Sequence, residues 1–171
     1  MKRILKYAAL GFIGLAWMGA SVALASEKSK SQIAFEQLTS LVGEWKGEKD
    51  GVAIRLVYSL TANGSALMEE FRPEKGPVMI TMFTTDGARL IATHYCSAGN
   101  QPQMTTEAIT DSQAKRLEFR LLRVTGLKTS KDWHNSGLIV LIEDKNHLTQ
   151  EWTYQFNGET GKTVFHFARE A

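Results

Sequence analysis

Two spacings of apolar residues divide the chain. Between Ala34 and Val42 they recur every three or four positions, at Phe35, Leu38 and Leu41/Val42. That is one or two turns of amphipathic helix over 34–41, with Ser31 as its candidate cap and Gly43 as its stop. Beyond Gly43 the period becomes two. Val52, Ile54, Leu56, Tyr58 and Leu60 alternate with Ala53, Arg55, Val57 and Ser59, and Leu148, Trp152, Tyr154 and Phe156 alternate with Thr149, Glu151, Thr153 and Gln155. Successive side chains of a strand point to opposite faces, so this pattern predicts strands with one face buried.

Turn signals cut the rest at fairly even intervals: Asp50-Gly51, Asn63-Gly64, Pro73 to Pro77, Asp86-Gly87, Ser97 to Pro102, Asp111-Ser112, Gly126 to Asp132, Asp144 to Asn146 and Asn157 to Gly161. Asn-Gly and Asp-Gly pairs favour tight hairpins because both residues tolerate positive φ. About ten strands remain: 44–49, 52–61, 65–72, 78–85, 88–96, 103–110, 114–124, 134–143, 147–157 and 162–169. No helix long enough for a parallel crossover separates them, so the sheet is expected to be an antiparallel meander. A meander of that many strands removes its edges by closing, and short connections favour an up-and-down barrel. The expectation is an all-β, up-and-down antiparallel β-barrel of about ten strands with a short N-terminal helix, enclosing room for one small ligand.

The first 25 residues follow a different logic. Lys2, Arg3 and Lys6 precede an apolar run from Tyr7 to about Gly19, and Ala23-Leu24-Ala25 supplies a small-x-small cleavage pattern. This reads as a signal peptide over 1–25, then a polar leader over 26–33 and the barrel domain over 34–171. The apolar run is shorter than the roughly 20 residues a spanning helix needs, so no membrane span is expected after cleavage. Localisation is expected to be periplasmic or secreted. The only Cys is Cys96, which excludes both an internal disulfide and a lipidated Cys at the cleavage site.

Removing the leader changes the charge balance. The chain has 20 basic and 18 acidic residues, and three of the basic ones lie in the signal, leaving 17 against 18. With no dense Lys/Arg tract, a nucleic-acid partner is not expected.

Leu41-Val42-Gly43-Glu44-Trp45-Lys46-Gly47 places Gly-x-Trp between a short helix and the first strand. This resembles the entry of lipocalin-like (calycin) barrels, including small exported bacterial domains of that kind. The resemblance implies that Trp45 closes the barrel floor and that Arg169, near the end of the last strand, packs over its ring as a cation–π contact. More distantly the chain resembles the nitrobindin-type haem barrels, which use a proximal His late in the chain; His166 is the position that corresponds.

Thr93-His94-Tyr95-Cys96-Ser97-Ala98-Gly99-Asn100-Gln101-Pro102 concentrates uncharged polar groups at a strand end. One reading makes it a rim that orients a ligand through His94, Tyr95, Cys96, Asn100 and Gln101. The other makes it a turn built by Gly99-Asn100 and ended by Pro102, with His94 a satisfied strand residue. Cys–His nucleophilic chemistry is disfavoured, since same-face neighbours on a strand lie roughly 6.5–7 Å apart at Cα. His134, His147 and His166 lack ligand spacing, so no metal site is expected. Glu69-Glu70 point to opposite faces and read as a solvated edge. Tyr58, Trp152 and Tyr154 are core residues that in a calyx also serve as ligand-binding wall. Trp133, amid the polar 128–134 segment, either covers the open end or folds back on the barrel.

The expected function is non-catalytic binding of a small, largely apolar molecule, with no cofactor. The alternatives are an enzyme on the same barrel, haem-dependent or using the His94 region, and a filled structural or interaction module of the cell envelope.

Overall fold

The computed structural model describes residues 27–111, 113 and 115–170. The segment read as a signal peptide lies outside the described residues, as does Ser26 of the leader. Helix α1 (Lys30–Thr39) is followed by strands β1 (Gly43–Lys49), β2 (Val52–Thr61), β3 (Ala66–Pro73), β4 (Met79–Asp86) and β5 (Arg89–Tyr95). Then come β6 (Gln101–Thr105), β7 (Arg116–Thr125), β8 (His134–Ile142), β9 (His147–Phe156) and β10 (Glu159–Arg169). Every strand pairs antiparallel with its sequence neighbours, and β10 pairs with β1, closing the barrel. The expected fold class is the one found.

The two largest departures from the periodicity are at the start of the helix and the end of β6. The helix begins at Lys30, not 34, because Ser29 accepts from the Gln32 amide while the Gln32 side chain accepts from the Ser29 amide, a reciprocal cap. Apolar spacing alone does not mark that first turn. Strand β6 ends at Thr105 rather than 110, and a bulge between Gln103 and Met104 breaks its register with β7.

Alternation fills the interior. Ile54, Leu56 and Tyr58 of β2 point inward with Leu67 and Phe71 of β3, Phe83 of β4, Leu90 and Ala92 of β5, and Leu148 and Trp152 of β9. One end of the barrel is sealed. Trp45 is fully buried there, its indole N–H donating to the Leu41 carbonyl at 2.7 Å. The Arg169 guanidinium sits 4.2 Å from the Trp45 ring centre and donates to the carbonyls of Ser40, Val42 and Lys145. Gly43 adopts φ +127°, and a Cβ there would stand 3.0 Å from Arg169 Nη1, so this glycine makes room for the clamp. Ser31 donates to the Gly87 carbonyl in the β4–β5 turn and fastens α1 across the same end.

Candidate functional site

A polar row crosses the apolar interior. Register pairs Tyr58 of β2 with Glu69 of β3, Glu69 with Thr81 of β4, and Thr81 with His94 of β5. All four side chains point into the barrel and are buried, Glu69 completely. Barrel strands tilt against the axis, so a row perpendicular to them climbs as it passes around the wall. Tyr58 lies low, opposite Gly43, whereas His94 reaches a cavity near the other end.

Hydrogen bonds run along the row. The Tyr58 hydroxyl donates to Glu69 Oε2, and Gln150, reaching in from β9, donates to the Tyr58 oxygen at 2.8 Å and to Glu69 Oε2 at 2.5 Å. Trp152 Nε1 donates to Gln150 Oε1 at 2.9 Å. Thr81 Oγ1 lies 3.4 Å from Glu69 Oε1 and 3.0 Å from His94 Nδ1. Burial raises the Glu69 carboxyl above its ordinary range, opposed by the bonds from Tyr58, Gln150 and Thr81. Burial, reinforced by the Glu69 charge, also pushes the Tyr58 phenol well up, which keeps it a donor. Burial lowers His94 to about 4, so its ring is neutral at neutral pH. His94 is 3% exposed, yet its Nε2 has no partner.

The His94 side chain belongs to the wall of a cavity of about 110 Å³ at the end of the barrel away from Trp45. Phe71, Met79, Trp152 and Phe165 form its apolar sides, with Trp133 and Tyr154 stacked 5.7 Å apart at the mouth. Asn135 and Thr163 are its other polar groups. The Trp152 ring lies 4.8 Å from that of His94. A wider groove of about 730 Å³ runs outside the barrel past Lys46, Arg55, Arg72 and Glu170. It offers charged side chains that pair with one another at the surface and no convergent buried group, so the inner cavity is the better-formed site.

The residues singled out in the sequence are dispersed. His94, Trp152 and Tyr154 line the cavity. Tyr58 lies three links from His94 along the hydrogen-bond row. Tyr95 is 50% exposed on the outer face. Cys96 organises the β5–β6 turn, exchanging backbone bonds with Gly99 and Asn100 and accepting from the Ala98 amide on sulfur. Asn100, 2% exposed, donates to the Trp133 carbonyl at 2.7 Å and so fixes the segment that carries Trp133. Gln101 bonds Thr125 and the Gly99 carbonyl within the same loop cluster.

Glu69 is not on a solvated edge. It shares the inward face of β3 with Leu67 and Phe71, and that parity was the available signal; Glu70 faces out. Gln150 and Thr163 carry the same kind of signal, sharing the parity of Leu148 and Trp152 and of Phe165 and Phe167, whereas Thr81 and Asn135 read as ordinary strand residues until the strands are paired. His166 takes the opposite parity to Phe165 and Phe167. It is exposed and hydrogen-bonded to Thr149 Oγ1 at 2.7 Å. The position corresponding to a proximal haem ligand is therefore outside the barrel, and the cavity is far smaller than a porphyrin, so these residues do not fit that cofactor. Among the described residues no three His, Cys, Asp or Glu converge as a metal site, and no helix is long and apolar enough to cross a membrane.

Fold and site together define a closed ten-strand antiparallel barrel, sealed at one end and hollow near the other. The chain is similar to the crystal structure of Rv2717c from M. tuberculosis, with a TM-score of 0.59 and 12% identity over 81% of this chain and 98% of that one. At that identity the likeness is one of fold. No family model matches the sequence, and no curated protein matches it.

Proposed function

We propose that this protein is a calycin-type barrel that binds a small, largely apolar molecule without transforming it, and that it acts outside the cytoplasm after loss of residues 1–25. The binding reading rests on one observation: His94, whose buried Nε2 has no partner, stands in the wall of a mostly aromatic cavity. Leaving such an acceptor unmet costs about 1–3 kcal/mol, which an occupant with the matching group recovers. Export rests on the Lys/Arg cluster, the short apolar run and Ala23-Leu24-Ala25. Native mass spectrometry of protein purified from the exported fraction tests both parts. The expected result is a mature chain beginning near Ser26 that carries a small adduct, lost in His94→Ala. Met1 retained in a membrane fraction would remove the export reading. A second reading, a filled barrel serving as an envelope module, is favoured by the modest size of the cavity. It gains if neither the native protein nor a screen of ring compounds shows occupancy.

A further inference from the structure

Resting on the binding reading above, we propose that the occupant is a small neutral aromatic hydrogen-bond donor, a phenol-like ring, held by His94 Nε2, and that Glu69 acting through Thr81 makes that nitrogen an acceptor.

Donor and acceptor roles follow from one fixed point. An indole N–H can only donate, so the Gln150 atom facing Trp152 Nε1 is its oxygen. The Gln150 NH₂ is thereby turned toward Tyr58 and Glu69. Since the Tyr58 oxygen receives one of those protons, its own hydroxyl proton goes to Glu69 Oε2. Glu69 Oε2 is thus a double acceptor, and Oε1 faces the Thr81 hydroxyl. The donors around this carboxyl oppose the effect of its burial and favour its acceptor form. Thr81 has a single proton; given to Glu69, it leaves the Thr81 oxygen to accept from His94 Nδ1–H. A neutral imidazole protonated at Nδ1 carries a bare lone pair at Nε2. That is the unpartnered atom of the ring that stands in the cavity wall.

The rest of the cavity sets the class. Its walls are mostly aromatic, with no charged side chain among them, which suits an uncharged ring. Its volume of about 110 Å³ is of the order of the ~150 Å³ cavity that accepts benzene. A ring whose edge carries O–H or N–H meets Nε2; one carrying only a lone pair there is repelled.

The relay is tested by reversing it. In Glu69→Gln, Tyr58 and Gln150 still require an acceptor, so the new amide keeps its oxygen toward them and turns its NH₂ to Thr81. Thr81 then donates to His94 Nδ1, the ring proton moves to Nε2, and the cavity wall becomes a donor. Thr81→Val cuts the same path without altering charge and serves if Glu69→Gln fails to fold. Binding of phenol, pyridine and toluene is measured calorimetrically in mildly alkaline buffer, where all three are uncharged, and the His94 tautomer is read from ¹⁵N shifts.

For the wild type, phenol is expected to bind about tenfold tighter than pyridine or toluene, the equivalent of one satisfied buried acceptor, with Nδ1 protonated. In Glu69→Gln the order of phenol and pyridine is expected to reverse. In Thr81→Val the ratio should fall toward unity. Toluene binding at least as well as phenol to the wild type, or a wild-type Nε2–H tautomer, overturns the donor class and leaves an apolar pocket standing. A phenol preference unchanged in both variants overturns the relay alone. Failure of all three rings to bind removes this inference and the binding reading with it.

Discussion

His94 is held neutral by the barrel, whereas an unfolded chain leaves its imidazole free to take a proton. The folded value of about 4 stands against 6.5 for the free side chain. Between those values the unfolded state binds more protons, so stability is complete above about pH 6.5, falls as pH drops, and levels off below about pH 4. The full difference corresponds to something on the order of 3 kcal/mol. Glu69, raised by the same burial, works in the opposite sense, so the contrast between wild type and His94→Gln isolates the histidine. Urea unfolding across that window is expected to show a steeper pH dependence for the wild type; parallel curves would mean the ring is already solvated. Gly161 sets a different constraint on the same cavity. It faces Tyr154 across the β9–β10 ladder, and a Cβ at this position would overlap the Tyr154 ring. Gly161→Ala should therefore push that ring off its place beside Trp133. We expect a loss of about 1–3 kcal/mol, typical of an overfilled site, and a changed Trp emission spectrum. An unchanged spectrum would show that the ring has room to spare.

At the scale of elements, the clamp at the sealed end ties three pieces of chain together. Arg169 of β10 holds the carbonyls that leave α1 and the one in the β8–β9 turn, while covering the indole of β1. Arg169→Ala is expected to cost about 2–4 kcal/mol in denaturant unfolding, combining charged hydrogen bonds and the cation–π contact. Arg169→Lys should recover less than half, because an ammonium cannot fork to three carbonyls. Full recovery in the lysine variant would reduce the clamp to simple charge. Much of this level could be read in the sequence, because strand alternation and Asp-Gly or Asn-Gly turns are local signals and Gly-x-Trp marks a particular entry. The polar row could not be read in the same way. Which of Glu69 and Glu70 faces inward follows from the neighbouring Leu67 and Phe71, but Thr81 becomes meaningful only through register between strands. The 93–102 segment stands out in the sequence because its polar residues are adjacent. Most of them serve the loop, and His94 alone among them reaches the cavity wall.

For the molecule as a whole, closure depends on β1 and β10, joined by the pairs Trp45↔Arg169, Lys46↔Ala168 and Gly47↔Phe167. Truncation after Gly161 should leave β1 and β9 as open edges, and unpaired edges recruit other chains. We expect oligomers in size-exclusion chromatography rather than a monomer lacking one strand; a well-folded monomer would show that closure is dispensable. The seam also imposes an order of events. Every other ladder links consecutive strands and can zip as a hairpin, while this one joins segments whose contacts, such as Val42 with Arg169, lie 127 residues apart. Bringing distant segments together costs a chain more loop-closure entropy than zipping a hairpin. The ring of strands should then shut last and open first. Contacts made only at that final moment leave the refolding rate untouched and govern how long the native state survives. Arg169→Ala should accordingly steepen loss of the folded form in stopped-flow unfolding without slowing its recovery, so that the lifetime of the barrel is decided at its one ladder between non-consecutive strands.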